Sequence, residues 1–409
     1  MPTTKKKPAK PAKPYPDFPL FPHDTRRWAK KIKGKLHYFG PWNDPDKALK
    51  LYLDQRDDLH AGRRPRSKAG GLTVGELVNR YLTVKRRLVD NGELSARHWA
   101  DMRTIGAMLV QKFDRQRPVA DLAADDFAEL RADLAAGRGL VTLANQIERV
   151  RIIFRWAYDA GLLASPLRFG PDFRPPSNAI LRREKQKRGA KLFEAAELRK
   201  IIDAAQQPLK AMILLGVNAG LGNADVGRLH ERHLDLQTGW LDYPRPKTAV
   251  GRRAWLWPET VAAIKEAIAD RPEPKDKAEA GLVFLRADGG SWYVELELPA
   301  PKAGANGDEH HDEKTKLPST SNPVSYAMRR LMRSLGLQRP GLGFYTLRHV
   351  FLTIGEESRD HIAVAHVMGH VVPGMGTAYR ETVSDERLRA VCEHVRAWLF
   401  GKTKKSKPR

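Results

Sequence analysis

Arg348, His370 and Tyr379 stand at gaps of 22 and nine residues near the end of a 409-residue chain. The segments around them read Tyr345-Thr346-Leu347-Arg348-His349, Met368-Gly369-His370 and Ala378-Tyr379-Arg380. A planar fork of N–H donors, an imidazole and a phenol can serve a single phosphate if folding brings them together. To make one phosphate-sized pocket of them, the fold has to turn the chain back between residues 348 and 379.

A chain of 409 residues suits two to three domains, each able to bury a core. Its 72 Lys and Arg against 48 Asp and Glu leave a net charge of +24. That excess suits a polyanion, and nucleic acid is the default partner. The single cysteine, Cys392, permits no intramolecular disulfide, which suits a reducing compartment. No apolar run approaches the roughly 20 residues of a membrane span. The opening Met1-Pro2-Thr3-Thr4-Lys5-Lys6-Lys7 has no apolar stretch after it, unlike a signal peptide. The expectation is a cytoplasmic, nucleoid-associated protein with no membrane partner.

Patterning divides the chain. Residues 1–16 read as a disordered basic arm. Residues 17–62 read as a small strand-rich module, with a hairpin turning at Gly34 and an amphipathic helix from Asp44 to His60 carrying Ala48, Leu51, Tyr52 and Leu59. Ala61 to Gly71 is a basic linker. Residues 72–166 read as a four-helix domain, with Thr73 and Ser95 as helix caps. Residues 167–190, rich in Pro, Arg and Lys, read as an interdomain linker. From 191 to 400 lies a last domain, with helices over 194–205, 208–221, 258–270, 345–356 and 385–399 and a strand–turn–strand around Lys247. A basic tail covers 401–409. Ala300 to Leu317 reads as a surface insertion, and its Asp308-Glu309-His310-His311-Asp312-Glu313 run as a solvated loop, so no metal or other cofactor is expected. Gly220-x-Gly222 lacks the third glycine of a dinucleotide loop and precedes no Walker lysine. The fold class is mainly α with small β-sheets.

The C-terminal segment resembles the tyrosine recombinase (phage-integrase) family, whose signature is H-x-x-R-H, then L-G-H, then a nucleophilic tyrosine. The resemblance covers residues 72–399 and implies a helical core-binding domain followed by the family's catalytic fold. Residues 17–62 resemble the arm-type DNA-binding modules of some integrases. Such chemistry needs an in-line nucleophile, cations on the phosphoryl oxygens, an acid for the leaving 5′-oxygen and groups that orient the phosphate. By resemblance Tyr379 is the nucleophile, Arg348 holds a non-bridging oxygen, and His370 donates to the phosphate or takes the Tyr379 proton. Lys247, in Pro244-Arg245-Pro246-Lys247-Thr248, resembles the family's hairpin lysine, the general acid. Arg97, Arg103, Arg151 and Arg245 are expected DNA contacts.

Two positions depart from the family pattern. Ala219-Gly220-Leu221-Gly222-Asn223-Ala224-Asp225-Val226-Gly227-Arg228-Leu229 resembles T-G-L-R-x-x-E-L-x-x-L, so the first arginine falls on Gly222 and the acidic residue, a brace for Arg348, on Asp225. Losing a transition-state donor costs roughly 10² to 10³ in rate. Arg228, Arg252 and Arg253 are the candidate replacements. Tyr345 stands for the usual histidine; a phenol can donate to a phosphate oxygen but is a poor base. The resemblance implies a site-specific recombinase that acts on double-stranded DNA as a dimer or tetramer through a Holliday junction, with an accessory directionality factor. The other expectation is a cleavage-deficient DNA-binding protein on the same scaffold.

Overall fold

The computed structural model describes residues 10–60, 71–246, 248–300, 302–303, 309–310, 322–371 and 382–401. Lys247, Tyr379, the basic linker, most of both tails and most of the His310-His311 run lie outside the described residues. The chain forms two compact units, Met1–Glu184 with Leu298–Leu317, and Lys185–Glu297 with Pro318–Arg409.

In the first unit, β1 (Phe21–His23), β2 (Arg27–Ile32) and β3 (Lys35–Pro41) form an antiparallel sheet in that order. Lys33 and Gly34 both take positive φ, 46° and 81°, as the two-residue turn of a right-twisted hairpin requires. Helix α1 (Pro45–His60) covers the sheet with Ala48, Tyr52 and Leu59, and Phe18 packs edge-on against Trp28 at 4.9 Å. Four longer helices follow: α2 (Val74–Asp90), α3 (Ala96–Phe113), α4 (Ala124–Ala135) and α5 (Leu140–Asp159). Thr73 Oγ accepts from Glu76 N and the Glu76 carboxylate from Thr73 N, both at 3.2 Å, while Ser95 caps α3. Phe113, Phe127 and Phe154 meet at the centre of this core.

The stretch from Phe169 onward is more ordered than a linker. Phe173 is fully buried and Phe169 packs beside it on the same aromatic cluster, and α6 (Asn178–Arg188) follows. Two aromatic side chains, each worth about 1.5–3 kcal/mol on burial, outweigh the local loop composition.

The second unit wraps α8 (Leu209–Asn218), a helix buried on every side from Ala211 to Asn218 and apolar there except for Asn218. Around it pack α7 (Ala195–Ala204) and, later in the chain, helices from 258–269, 346–356 and 385–400. The expected helix over 208–221 stops at Asn218 because Ala219 leaves helical geometry and Gly220 takes φ +62°. A short helix, α9 (Asn223–Gly227), then leads to an antiparallel sheet of β4 (Leu234–Asp235), β5 (Trp240–Asp242) and β6 (Arg253–Trp255). Buried Asn218 ties this sheet to α8: its Nδ2 donates to Trp255 O (2.9 Å), and its Oδ1 accepts from Trp257 N (2.8 Å) and Thr260 Oγ1 (2.9 Å).

After α10 (Pro258–Ala269), the segment Leu298–Leu317 is grouped with the first unit. It holds a two-residue ladder, β7 (Lys302–Ala303) with β8 (Glu309–His310). The chain closes with α11 (Pro323–Ser334), α12 (Thr346–Glu356), α13 (His361–Met368) and α14 (Asp385–Phe400). Among the described residues no helix is long and apolar enough to cross a membrane.

Candidate active site

Helix α12 carries Leu347, Val350, Phe351 and Ile354 into the core, and Arg348 goes inward with them at 3% exposure. A guanidinium there must find acceptors, since an unpaired buried charge is strongly destabilising. It finds three. Nη1 donates to the carbonyl of Gly220, and Nη2 donates to Met368 O at 2.7 Å and to His370 Nε2 at 2.6 Å. The α12 arginine thus holds the ends of two other helices, the α8 exit and the α13 C-terminus. Burial, then the neighbouring charge of Arg245, lowers its pKa to about 10, so it remains cationic at neutral pH.

Gly369 ends α13 in the left-handed region (φ 62°, ψ 43°), which turns His370 back toward Arg348. Because the guanidinium can only donate, His370 Nε2 accepts, and a neutral ring carries its proton on Nδ1. Burial, reinforced by Arg348 and Arg245, brings the His370 pKa down to about 4. Such a neutral imidazole can accept a proton from a nearby acid only if an anion relieves the surrounding positive charge.

Asp225 Oδ2 accepts from Gly222 N at 2.8 Å, capping α9, and from Arg252 Nη1 at 3.2 Å. Its hydrogen bonds therefore brace Arg252 and not Arg348, contrary to the expected pairing. Arg252 has no exposed side-chain surface; its Nε donates to Tyr243 O at 2.9 Å and its Nη2 finds no partner among the described residues. Tyr345 precedes α12, half exposed, with its ring directly over Gly222 and edge-on to His349.

The hairpin between β5 and β6 is closed by Arg245 N to Val250 O at 2.9 Å. Its stem touches Gly369: a Cβ there would lie 3.0 Å from Arg245 Cβ and 3.5 Å from Arg252 Cβ. Asp225, Tyr345, Arg348, His370, Arg245 and Arg252 are therefore one neighbourhood. Arg228 and Arg253 are occupied elsewhere. Arg228 pairs with Glu295 at 3.2 Å over the Tyr293 ring, and Arg253 forks onto Asp385 at 2.7 and 2.8 Å over the Trp240 ring.

In the first unit, Arg97 is exposed and lies 3.5 Å from Asp101. Arg151 donates to Phe173 O at 3.1 Å and stacks on Phe169. Arg103 is only 6% exposed within α3, not the surface position a phosphate contact requires. Among the described residues no three His, Cys, Asp or Glu side chains gather as a metal site.

Two parts of the site escaped the sequence reading: the carbonyls of Gly220 and Met368, and the contact of the hairpin stem with Gly369. Backbone acceptors carry no residue signature. A glycine before a histidine was visible, but not what it leaves room for.

The fold is shared with DNA-bound integrases. The Tn1549 transposon integrase in complex with a circular intermediate DNA is 15% identical, with a TM-score of 0.53 over 79% of this chain and 99% of that one. A lambda integrase dimer bound to a COC′ core site is 14% identical, with a TM-score of 0.51 over 91% and 96%. A lambda integrase tetramer bound to a Holliday junction gives 15% identity and a TM-score of 0.50 over 89% and 98%. Among functionally curated proteins no match is found. Residues 191–385 match the model of the phage integrase family.

Proposed function

We propose that the protein is a site-specific recombinase that cuts and rejoins duplex DNA through a 3′-phosphotyrosyl intermediate. The observation that carries this reading is the 2.6 Å contact of Arg348 with His370, on a pair of elements that the family match spans together with Tyr379. The Tyr379 oxygen attacks the scissile phosphorus as the bond to the 5′-oxygen breaks. The phenolic proton passes to His370 Nε2 once the phosphate has drawn the Arg348 N–H away from that nitrogen, and Lys247 supplies a proton to the leaving 5′-oxygen. Arg348 holds a non-bridging oxygen, and Tyr345 donates to the same phosphate. Rejoining runs these transfers in reverse, so no nucleotide hydrolysis is needed. Arg97, with the net charge of +24, supports backbone contacts along the duplex.

The solved integrases that share the fold include a dimer and a tetramer on DNA, which supports assembly of several copies on the substrate. An accessory protein that sets direction is part of the same reading. The glycine at 222 favours one alternative, a protein that binds such sites without cutting. A duplex selected by the protein from a random-sequence pool, nicked near its centre, separates the two. A covalent band on a denaturing gel that disappears in Tyr379→Phe supports the recombinase; a gel shift without a band supports the binder.

A further inference from the structure

Among the described residues, three guanidinium groups, those of Arg245, Arg252 and Arg348, share one neighbourhood with a single carboxylate, Asp225. Asp225 is committed to Arg252, which is fully enclosed. Arg348 is anchored on two carbonyls and an imidazole. Arg245 differs from both. It is half-buried, and among the described residues no carboxylate or hydrogen-bond acceptor engages its side chain. Its stem is fixed: the hairpin bond to Val250 sets its backbone, and its Cβ and Cδ would lie 3.0 and 3.5 Å from a Cβ at Gly369, the residue before His370. A held stem with a free cationic head, beside an excess of positive charge, is a site waiting for an anion.

We propose that Arg245 is a catalytic residue that holds a non-bridging oxygen of the scissile phosphate beside Arg348 and supplies the positive charge this chain lacks at Gly222. This inference rests on the recombinase reading and deepens it. The guanidinium donates hydrogen bonds as charge builds on the phosphoryl oxygens, and it neither gains nor loses a proton. Its charge already acts on both other groups of the site, depressing Arg348 and His370, and a phosphate between them removes that strain. Arg252 is a positioning residue, because its bonds to Asp225 and to the Tyr243 carbonyl tie the hairpin base to the α9 cap.

The geometry at Gly222 makes the test specific. Its φ is −89°, and a Cβ there meets nothing nearer than the Tyr345 ring at 3.4 Å, so the backbone and Cβ of an arginine fit here and its longer side chain leaves past the half-exposed Tyr345 ring, which must turn aside. The experiment compares wild type, Arg245→Gln, and the double variant Gly222→Arg/Arg245→Gln on the selected nicked duplex, reading the rate of covalent-complex formation. Thermal melting and gel shifts run alongside. Arg245→Gln is expected to slow the reaction by roughly 10² to 10³, as loss of a transition-state donor does, while melting like wild type and still binding the duplex. The double variant is expected to recover at least about tenfold of that loss, because a guanidinium again faces the phosphate. An Arg245→Gln rate within about threefold of wild type overturns the inference. So does a double variant that stays as slow as the single one, since the defect is then one of hairpin structure. A wild-type chain that forms no Tyr379-dependent band overturns the recombinase reading itself, a different result from either of these.

Discussion

The Tyr345 ring lies over Gly222, with two of its carbons 3.4 and 3.5 Å from where a glycine Cβ would stand. The two positions that depart from the motif the sequence resembles are therefore neighbours in space. A phenol ring rests on the place an arginine side chain would otherwise leave the backbone.

The glycines of the site should divide sharply on substitution. Gly222→Ala adds a methyl into ordinary contact distance at a permitted φ, and should change stability by less than about 1 kcal/mol. Gly369→Ala forces a Cβ onto φ 62° and to 3.0 Å from Arg245 Cβ, and should cost about 1–3 kcal/mol. It should also slow covalent-complex formation, because it displaces His370. Urea titration of both variants checks the contrast.

Arg348→Met keeps the bulk of the side chain and leaves the carbonyls of Gly220 and Met368 without their donor. Each orphaned acceptor should cost about 1–3 kcal/mol, so the second unit should melt earlier than wild type. Arg348→Lys should recover part of that stability without recovering activity, since an ammonium cannot fork between His370 and the phosphate.

The His370 ring should titrate at about 4, against 6.5 for an ordinary histidine. A folded value below the unfolded one means that stability is fully present above pH 6.5 and is lost as pH falls toward 4, where the unfolded chain binds the extra proton. Imidazole NMR reads the titration directly. In Arg348→Gln, or with inorganic phosphate bound, the value should move up toward 6.5, because a neighbouring cation is removed or neutralised. A ring that titrates near 6.5 in the wild type would contradict the observed burial and contact.

Asp225→Asn leaves the enclosed guanidinium of Arg252 without a counter-charge, and should destabilise the second unit by about 3–5 kcal/mol. Adding Arg252→Met should restore much of it, since the buried charge then goes as well. The coupling in this double-mutant cycle measures how far the pair acts as one.

Much of the fold was legible in the chain. Gly34 between two β-prone runs specified the first hairpin, and Thr73 and Ser95 marked the starts of α2 and α3, because turns and caps depend on a few adjacent residues. Local signals failed at Phe169 and Phe173, where Pro and Arg dominate the neighbourhood and the deciding contacts come from residues 15 or more positions away. Which body Leu298–Leu317 packs on is likewise not written in the segment's own composition.

The sequence by itself determined the identity and spacing of Arg348, His370 and Tyr379, the glycine at 222 and the surplus of cations, for these are covalent facts that need no folding. Only the tertiary structure decided that Arg348 rests on two carbonyls and His370, that Asp225 turns to Arg252, and that Arg228 and Arg253 are occupied while the Arg245 side chain meets no acceptor among the described residues. Hydrogen bonds and buried charges are satisfied by whatever the fold brings within about 3 Å, and residues far apart along the chain become partners only when packing has placed them.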